Sequence, residues 1–376
     1  MLTFAAYLAV CLGVLIIGVD IVAPEIGNHS YSLHIALVAL IPIVTISGAA
    51  LEAWYIFLVC AILASAGWLV LKSARKFLNE ITMRGTPRDH SPFFDMCALM
   101  FAVLFINTVI VLLLMAMGDE PVAPTESMAD WELLFLLANA SVWEELIVRV
   151  LLLGLPLIVV DQARGMEARK PHKYVFGGGI KIMWGETALV IISSLVFGFA
   201  HFEAWGLWKI FPASIAGVAF GYMFLKHGLP AAVMLHFSFD YLSTPLVVFD
   251  ASFAVQMIVA IGILLWVGLG FFFTIYFSIR IAEFLSGRLF FEGEKPTQVA
   301  VTAAAMPPAV VSLGGYTRSD SLGQIPEHSP QQSHEEERTR RTSAAGFFVC
   351  SFCGSTSARL DGERGLVCLG CGRSYK

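Results

Sequence analysis

Residues 131–160 read WELLFLLANASVWEELIVRVLLLGLPLIVV, an apolar run with two glutamates and an arginine near its centre. A helix needs about 20 mainly apolar residues to cross a bilayer, so this run predicts a transmembrane helix. An ionisable group at mid-membrane costs at least about 2.5 kcal/mol on insertion scales and usually marks a functional site. Glu144, Glu145 and Arg149 are therefore the first candidate functional residues.

The composition of the whole chain is that of a protein with many membrane spans. Of its 376 residues, 57% are hydrophobic and 14% are charged, whereas soluble domains are about half apolar and a quarter charged. We predict an all-α integral membrane protein that crosses the lipid bilayer with eight or nine helices. The candidate spans are residues 2–23, 31–47, 54–71, 94–117, 131–160, 186–205, 210–225, 230–249 and 253–279.

Lysine and arginine are distributed unequally between the loops. The loops after residues 71 and 160 are basic, whereas the segment 119–126 on the other face is acidic. Basic loops face the cytosol in most membrane proteins. We therefore predict that these two loops and the C-terminal tail are cytosolic. The basic residues are dispersed rather than clustered, and we predict no nucleic-acid partner.

Two further apolar runs contain ionisable residues: His201 in one, His236 and Asp240 in the other. Buried charges of this kind should converge on one hydrated cavity, because each is costly against lipid. Glu145 and Arg149 are spaced i,i+4 on one helix face and can form an ion pair. Glu144 points about 100° away and has no partner in its own helix, which suits a general base.

The same residues fit two hydrolytic mechanisms. In the first, Glu144 and His201 activate a water molecule, while His236 and Asp240 bind the carbonyl oxygen or its developing charge. In the second, His201, His236 and a carboxylate such as Asp240 hold an active-site zinc ion with an open position, and a glutamate is the base. The residues alone leave both mechanisms open.

Three motifs in a fixed order resemble those of the CPBP intramembrane protease family. They are EExxxR at residues 144–149, FxxxH at 197–201 and HxxxD at 236–240. This family includes CAAX prenyl endopeptidases of the Ras-converting type and bacteriocin-processing, Abi-like proteins. The resemblance covers roughly residues 131–249 and implies a helical membrane endopeptidase acting on a membrane-associated or lipidated protein or peptide.

The resemblance also implies roles for individual residues. Glu144 and His201 match the positions that activate water in the family, with Glu145 completing the acidic pair. His236 and Asp240 match the motif that supports the oxyanion. Arg149 and Phe197 occupy supporting motif positions. These assignments carry the expectation of a hydrolase, and of a metalloendopeptidase if the site holds zinc.

The C-terminal tail carries a separate signal in two CxxC pairs. Cys350, Cys353, Cys368 and Cys371 have the spacing of a closed, structural four-thiolate zinc site. We predict a small β zinc ribbon at residues 347–376, able to bind a cytosolic partner. The predicted order before it is a transmembrane domain at 1–279, an amphipathic cytosolic segment at 280–295 and a disordered linker at 296–346.

Two other classes of function compete with a peptidase. One is a non-catalytic membrane scaffold that recruits a partner through the zinc ribbon. The other is an ion- or proton-coupled transporter that uses the buried carboxylates and histidines. Transporters more often show internal repeats and broken helices, and the ordered motifs favour the peptidase.

Overall fold

The computed structural model describes most of the N-terminal three quarters of the chain and three short strands near its end. The described residues are 1–36, 40–82, 90–119, 121, 128–165, 169–249 and 251–287, with strand residues 358–361, 365–368 and 374–375. Residues Met1–Pro296 and Thr297–Lys376 form two compact units. The first unit is helical apart from one β-hairpin.

Twelve α-helices build the described part of the first unit. They are α1 (Leu2–Ile26), α2 (Ala49–Ile81), α3 (Pro92–Ala116), α4 (Asp130–Asn139), α5 (Leu155–Ala163), α6 (Pro171–Phe176), α7 (Trp184–Ala200), α8 (Phe202–Trp205), α9 (Ile210–Lys226), α10 (Leu229–Asp240), α11 (Thr244–Val248) and α12 (Phe253–Ser286). Two π-helical stretches, π1 (Ala140–Glu144) and π2 (Leu146–Gly154), join α4 to α5 without a break.

Six helical segments of the described residues are long and apolar enough to cross a membrane. They are Leu2–Ile26, Ala49–Glu80, Pro92–Ala116, Asp130–Ala163, Leu207–Lys226 and Phe253–Ser286. This confirms a largely helical integral membrane protein. The predicted count of eight or nine spans is not confirmed, because α7 has only 17 residues and α10 only 12.

The prediction of a transmembrane helix at residues 31–47 is wrong. Strands β1 (Ser30–Ala36) and β2 (Leu40–Ser47) pair there as an antiparallel hairpin, with an irregularity between Leu33 and His34. Pro42 has no backbone N–H and disfavours a helix interior. The β-branched run from Ile43 to Ile46 favours a strand. The first unit is therefore not purely α-helical.

Helices α7 and α9 pack closely through small residues. A Cβ atom on Gly217 would lie 3.0 Å from the Cβ of Ser194, and one on Gly221 would lie 3.0 Å from a methyl of Val190. On the facing helix, a Cβ atom on Gly198 would collide with the Ser214 hydroxyl and the backbone. Small residues allow such close approach of membrane helices. The packing fixes the end of α7, where His201 follows.

An ion-pair cluster built on two buried carboxylates, Asp161 and Glu186, holds the loop between α5 and α7. Arg164 Nη1 donates to both oxygens of Glu186 at 3.0 Å, and Arg169 Nη2 donates to Glu186 Oε1 at 2.9 Å. Arg169 also pairs with Asp161 at 2.9 Å. Part of the basic loop charge is thus neutralised within the protein, where it ties the two helices together.

The described residues test only part of what was predicted for the C-terminal region. Helix α12 continues without interruption to Ser286, so residues 280–286 are its last turns, while residues 288–346 lie outside the described part. Strands β3 (Ala358–Asp361), β4 (Gly365–Cys368) and β5 (Ser374–Tyr375) form an antiparallel sheet in the order β3-β4-β5. Cys368 ends β4, whereas Cys350, Cys353 and Cys371 lie outside the described residues. The zinc ribbon stays a prediction.

Candidate active site

The predicted acidic motif lies on the π-helical part of the fourth membrane span. Glu144 ends π1, and Glu145 links it to π2, which carries Arg149. π-Helical turns are rare and are found frequently at functional sites. The altered winding means that the directions of these side chains differ from those of an ideal α-helix.

Glu145 and Arg149 form the predicted ion pair. Arg149 Nε donates to Glu145 Oε2 at 3.0 Å, and both side chains are fully buried. The guanidinium carbon lies 5.5 Å from the ring centre of Phe197 and 5.8 Å from that of Phe220. Phe197, predicted to support the site, thus packs directly on Arg149. The aromatic faces are attractive to the cation in this water-poor environment.

His236 is placed among three carboxylates. Its Nδ1 lies 3.1 Å from Glu145 Oε1, and its Nε2 lies 3.3 Å from Asp240 Oδ2 and 3.9 Å from Glu144 Oε2. The ring stacks on Phe220 with centres 4.6 Å apart. The buried imidazole therefore links Glu145 to Asp240 and faces Glu144.

Asp240 acts as a hydrogen-bond acceptor in this arrangement. Ser141 Oγ shares its one proton between the Leu137 carbonyl at 2.8 Å and Asp240 Oδ2 at 3.1 Å, and the Nε2 of His236 approaches the same carboxylate oxygen. An ionised carboxylate has no proton to donate. Asp240 thus holds His236 and Ser141 rather than offering a donor to a ligand.

His201 follows the last turn of α7 and has a defined orientation. Its Nδ1 lies 2.8 Å from the carbonyl oxygen of Phe197. A carbonyl oxygen only accepts, so Nδ1 carries the proton, and in the neutral ring Nε2 presents a lone pair. That Nε2 lies 3.9 Å from Glu144 Oε2. The structure therefore aims the free nitrogen at the carboxylate.

Glu144 is the least satisfied carboxylate of the cluster. Its Oε2 is buried and has no hydrogen-bond partner among the described residues, although the side chain as a whole is 32% exposed. The Nε2 atoms of His201 and His236 each lie 3.9 Å away. Such gaps are too long for direct hydrogen bonds and suit a bridging water.

A cavity of about 190 Å³ opens beside this carboxylate. Its walls include Glu144, His201 and Phe197, together with Tyr31 and His34 of β1. Sequence reasoning missed both hairpin residues, because it placed them on a transmembrane helix. The polar and apolar alternation from Ser30 to Ile35 was the signal that would have found the strand.

Two residues close to the acidic motif also escaped the sequence analysis. Asn139 and Trp143 line the cavity and bind the hairpin: Asn139 Nδ2 donates to the Tyr31 oxygen at 3.3 Å, and Trp143 Nε1 donates to the His34 carbonyl at 2.8 Å. An Asn and a Trp inside an apolar run were visible in the sequence. Their role as hairpin contacts depends on tertiary packing.

The zinc hypothesis for this site gains no support from the geometry. No group of three or more His, Cys, Asp or Glu side chains within the described ranges is arranged to hold a metal ion. Of the predicted ligands, His201 and His236 use their Nδ1 atoms to contact Phe197 and Glu145, and Asp240 accepts a hydrogen bond from Ser141. An active-site zinc ion therefore stays an untested prediction, and the mechanism proposed below is the metal-free alternative.

A buried carboxylate, two imidazoles and a cavity thus lie together in the helical unit. Residues 127–242 match the family model described as type II CAAX prenyl endopeptidase Rce1-like. The chain thus contains an Rce1-like domain, which indicates an intramembrane protease of the CPBP type. No curated protein and no solved structure shows significant similarity to the chain.

Proposed function

We propose that this protein is an intramembrane endopeptidase that hydrolyses a peptide bond of a membrane-associated or lipidated protein. The observation that carries the proposal is the unbonded Glu144 Oε2, which lies 3.9 Å from two imidazole nitrogens and beside a cavity. An ionisable side chain in a membrane-spanning helix is energetically costly and usually has a function. Its surroundings fit the binding of a reactive water.

In this proposal Glu144 and His201 activate the water. The water donates one hydrogen bond to Glu144 Oε2 and one to the lone pair on His201 Nε2, which fixes its oxygen for attack. As that oxygen bonds to the carbonyl carbon, Glu144 takes the proton. When the C–N bond breaks, Glu144 returns the proton to the leaving nitrogen. The products are a carboxylic acid and an amine.

The buried network beside Glu144 provides a fixed electrostatic environment. Arg149 remains charged in proteins and is held by Glu145 at 3.0 Å, while His236 bridges Glu145 and Asp240. Charges that are already oriented need not reorganise during the reaction, and this preorganisation is often a large part of catalysis. Arg149 and His236 are thus assigned to stabilising the negative charge near the reacting carbonyl, and Glu145 and Asp240 to holding them in position.

A substrate class follows from the family match. The matched family is described as CAAX prenyl endopeptidases, and a CAAX sequence is a C-terminal motif whose cysteine is prenylated. We propose a lipid-modified C-terminal peptide as the first substrate to test. Comparing the same peptide with and without its prenyl group would measure how much the lipid contributes to KM.

The decisive experiment is peptide cleavage by the purified full-length protein. Glu144→Gln removes the proton acceptor and should lower kcat by about 10²- to 10⁴-fold, the usual range for a general base. Glu203 is exposed, lies two residues after His201 and is absent from the cavity wall. Glu203→Gln is thus a matched control that should cleave normally. Full activity in Glu144→Gln would refute the proposal.

The C-terminal module is proposed to be a cytosolic zinc ribbon. Its support is the pair of CxxC motifs, one of which begins at the end of β4 in an antiparallel sheet. A closed site of four thiolates is structural rather than catalytic, so the ribbon would bind a cytosolic partner or position substrate. Protease digestion of sealed vesicles of known orientation tests whether the tail faces the cytosol.

A further inference from the structure

One wall of the cavity comes from outside the region that matches the family model. Tyr31 lies on β1 and lines the cavity with Glu144 and His201, whereas the match covers residues 127–242. Glu144 also acts on the phenol electrostatically. A tyrosine hydroxyl is therefore placed beside the proposed water site by an element that the family match does not include.

The hydrogen bonds of Asn139 show that the hydroxyl proton of Tyr31 is not used in their contact. Trp54 Nε1 donates to Asn139 Oδ1 at 3.0 Å, and an indole N–H can only donate, which fixes the orientation of the amide. Asn139 Nδ2 must then donate to the Tyr31 oxygen, 3.3 Å away. The Tyr31 hydroxyl is an acceptor in that bond, so its own proton remains free for another acceptor.

Tyr31 is suited to donate rather than to act as a base. Burial raises the pKa of its phenol to about 12, and the carboxylate of Glu144 adds to the increase. The hydroxyl therefore keeps its proton at neutral pH. No acceptor for that proton lies among the described residues, because Asn139 is the only hydrogen-bond partner of the oxygen there.

The hairpin holds the tyrosine in a defined position. The ring of Tyr31 packs edge-on against Phe135 with centres 5.0 Å apart. Three residues along β1, the carbonyl of His34 accepts a 2.8 Å hydrogen bond from Trp143, the residue before Glu144. The strand and the carboxylate are thus tied to the same π-helical turn, so their separation is fixed.

The polar groups of Asp240 and His236 are already paired with neighbouring side chains. Asp240 accepts from Ser141 at 3.1 Å, and His236 Nε2 faces the carboxylates of Asp240 and Glu144 at 3.3 and 3.9 Å. Peptide hydrolysis places negative charge on the carbonyl oxygen, and a positioned donor there is worth several kcal/mol in many enzymes. Tyr31 has a hydroxyl proton that no described residue accepts.

We infer that Tyr31 is a further catalytic residue, whose hydroxyl donates a hydrogen bond to the carbonyl oxygen of the scissile peptide bond. This inference rests on the proposed peptidase function and assigns the oxyanion contact to the hairpin. Tyr31 transfers no proton. It stabilises the charge that forms when water attacks, and the bond relaxes when the carbonyl is restored.

Tyr31→Phe tests the inference, because it removes the hydroxyl and keeps the ring that packs on Phe135. Loss of one oxyanion donor should lower kcat by about 100- to 1000-fold with KM nearly unchanged. A peptide phosphonate, which resembles the tetrahedral intermediate, should lose affinity by a similar factor, whereas an uncleaved substrate analogue should bind as before. A wild-type kcat in Tyr31→Phe would overturn the inference.

Two Asn139 variants separate donation from a structural role. Asn139→Asp is isosteric, but its second carboxylate oxygen would accept the Tyr31 proton, so kcat should fall as in Tyr31→Phe. Asn139→Leu breaks the same hydrogen bond and leaves the proton free, so its kcat should stay within about tenfold of the wild type. Equal losses in Tyr31→Phe and Asn139→Leu would show a structural role and reject the inference. If Tyr31→Phe does not fold, the comparison of Asn139→Asp with Asn139→Leu still tests the inference.

Two other side chains in the cavity wall carry N–H groups that could donate to the carbonyl oxygen in place of Tyr31, and the same assay tests them. The His34 ring and the Trp205 indole line the cavity and make no hydrogen bond within the described part of the chain. A hundredfold loss of kcat in His34→Ala or in Trp205→Phe, with Tyr31→Phe fully active, contradicts the inference. Normal cleavage by Glu144→Gln would instead refute the proposed peptidase function. Failure of that proposal can therefore be told apart from failure of the Tyr31 inference.

Discussion

Glu144 and Glu145 are neighbours in the chain, yet their carboxylates have different surroundings. Glu145 is fully buried, with Arg149 at 3.0 Å and His236 at 3.1 Å, whereas Glu144 Oε2 has no hydrogen-bond partner within the described structure. One carboxylate is therefore bound into the protein, and the other faces the cavity. The two should respond differently to mutation.

Loss of the Glu145 carboxylate should mainly destabilise the protein. Glu145→Ala would leave Arg149 charged and fully buried without its partner, and breaking a buried pair in this way costs about 3–5 kcal/mol. We expect a clearly lower unfolding temperature in detergent. Glu144→Gln, which breaks no hydrogen bond at Oε2, should unfold at nearly the wild-type temperature. Equal stability of the two variants would contradict this division of roles.

Replacing both Glu145 and Arg149 should destabilise the protein less than replacing Glu145 alone. In the double variant Glu145→Leu/Arg149→Met, neither charge of the pair is left without its partner. Replacing a whole buried pair by apolar residues is often neutral or stabilising. We expect the double variant to unfold at a higher temperature than Glu145→Ala and to cleave poorly, because His236 has lost Glu145. A double variant less stable than the single one would exclude the ion pair as the cause.

The contact between α7 and α9 should control the position of His201. In Gly198→Ala, the added methyl would collide with the Ser214 hydroxyl and the Ile210 carbonyl, and such overpacking typically costs about 1–3 kcal/mol. His201 lies three residues further on, and an error of about 1 Å can reduce a rate by about 100-fold. Cleavage assays and thermal unfolding would measure both effects.

Gly262→Ala is the matched control for that substitution. Gly262 lies in α12, and an added Cβ atom would meet no atom within 4 Å. Alanine favours a helix interior over glycine by about 0.5–1 kcal/mol, so stability should be unchanged or slightly higher, with normal cleavage. Identical losses in both variants would show that helix propensity, rather than the α7–α9 contact, is responsible.

Zinc should be confined to the C-terminal tail. We expect about one zinc per wild-type chain by elemental analysis, as a single four-thiolate site requires, and none in a Cys350→Ser/Cys371→Ser variant. Cleavage should survive both this substitution and treatment with a chelator. Zinc retained in the variant, together with inhibition by chelator, would place a metal in the active site instead.

Local helix spacing predicted the paired contacts of the site but not its enclosure. The i,i+4 spacing of Glu145 and Arg149, and of His236 and Asp240, is a property of one helix, and both pairs are in contact. The meeting of Glu144 with His201 depends on packing between α7, α9 and the π-helical span. No spacing within one segment determines that distance.

The hairpin shows why hydropathy alone misassigned one segment. Averaged over a membrane-spanning length, residues 31–47 are as apolar as a transmembrane helix. Pro42 and the β-branched residues that follow it act locally and are lost in such an average. The roles of Tyr31 and His34 could not be predicted once their backbone was assigned to the wrong structure.

The hairpin precedes Glu144 by more than one hundred residues in the chain, so the reaction chamber is assembled from distant parts of the polypeptide. A form shortened by proteolysis after the hairpin would present the acidic and imidazole groups while one side of the chamber stays open to solvent. Bulk water would then weaken every electrostatic contact there. We therefore expect hydrolytic competence only when the hairpin and the later helices have folded together.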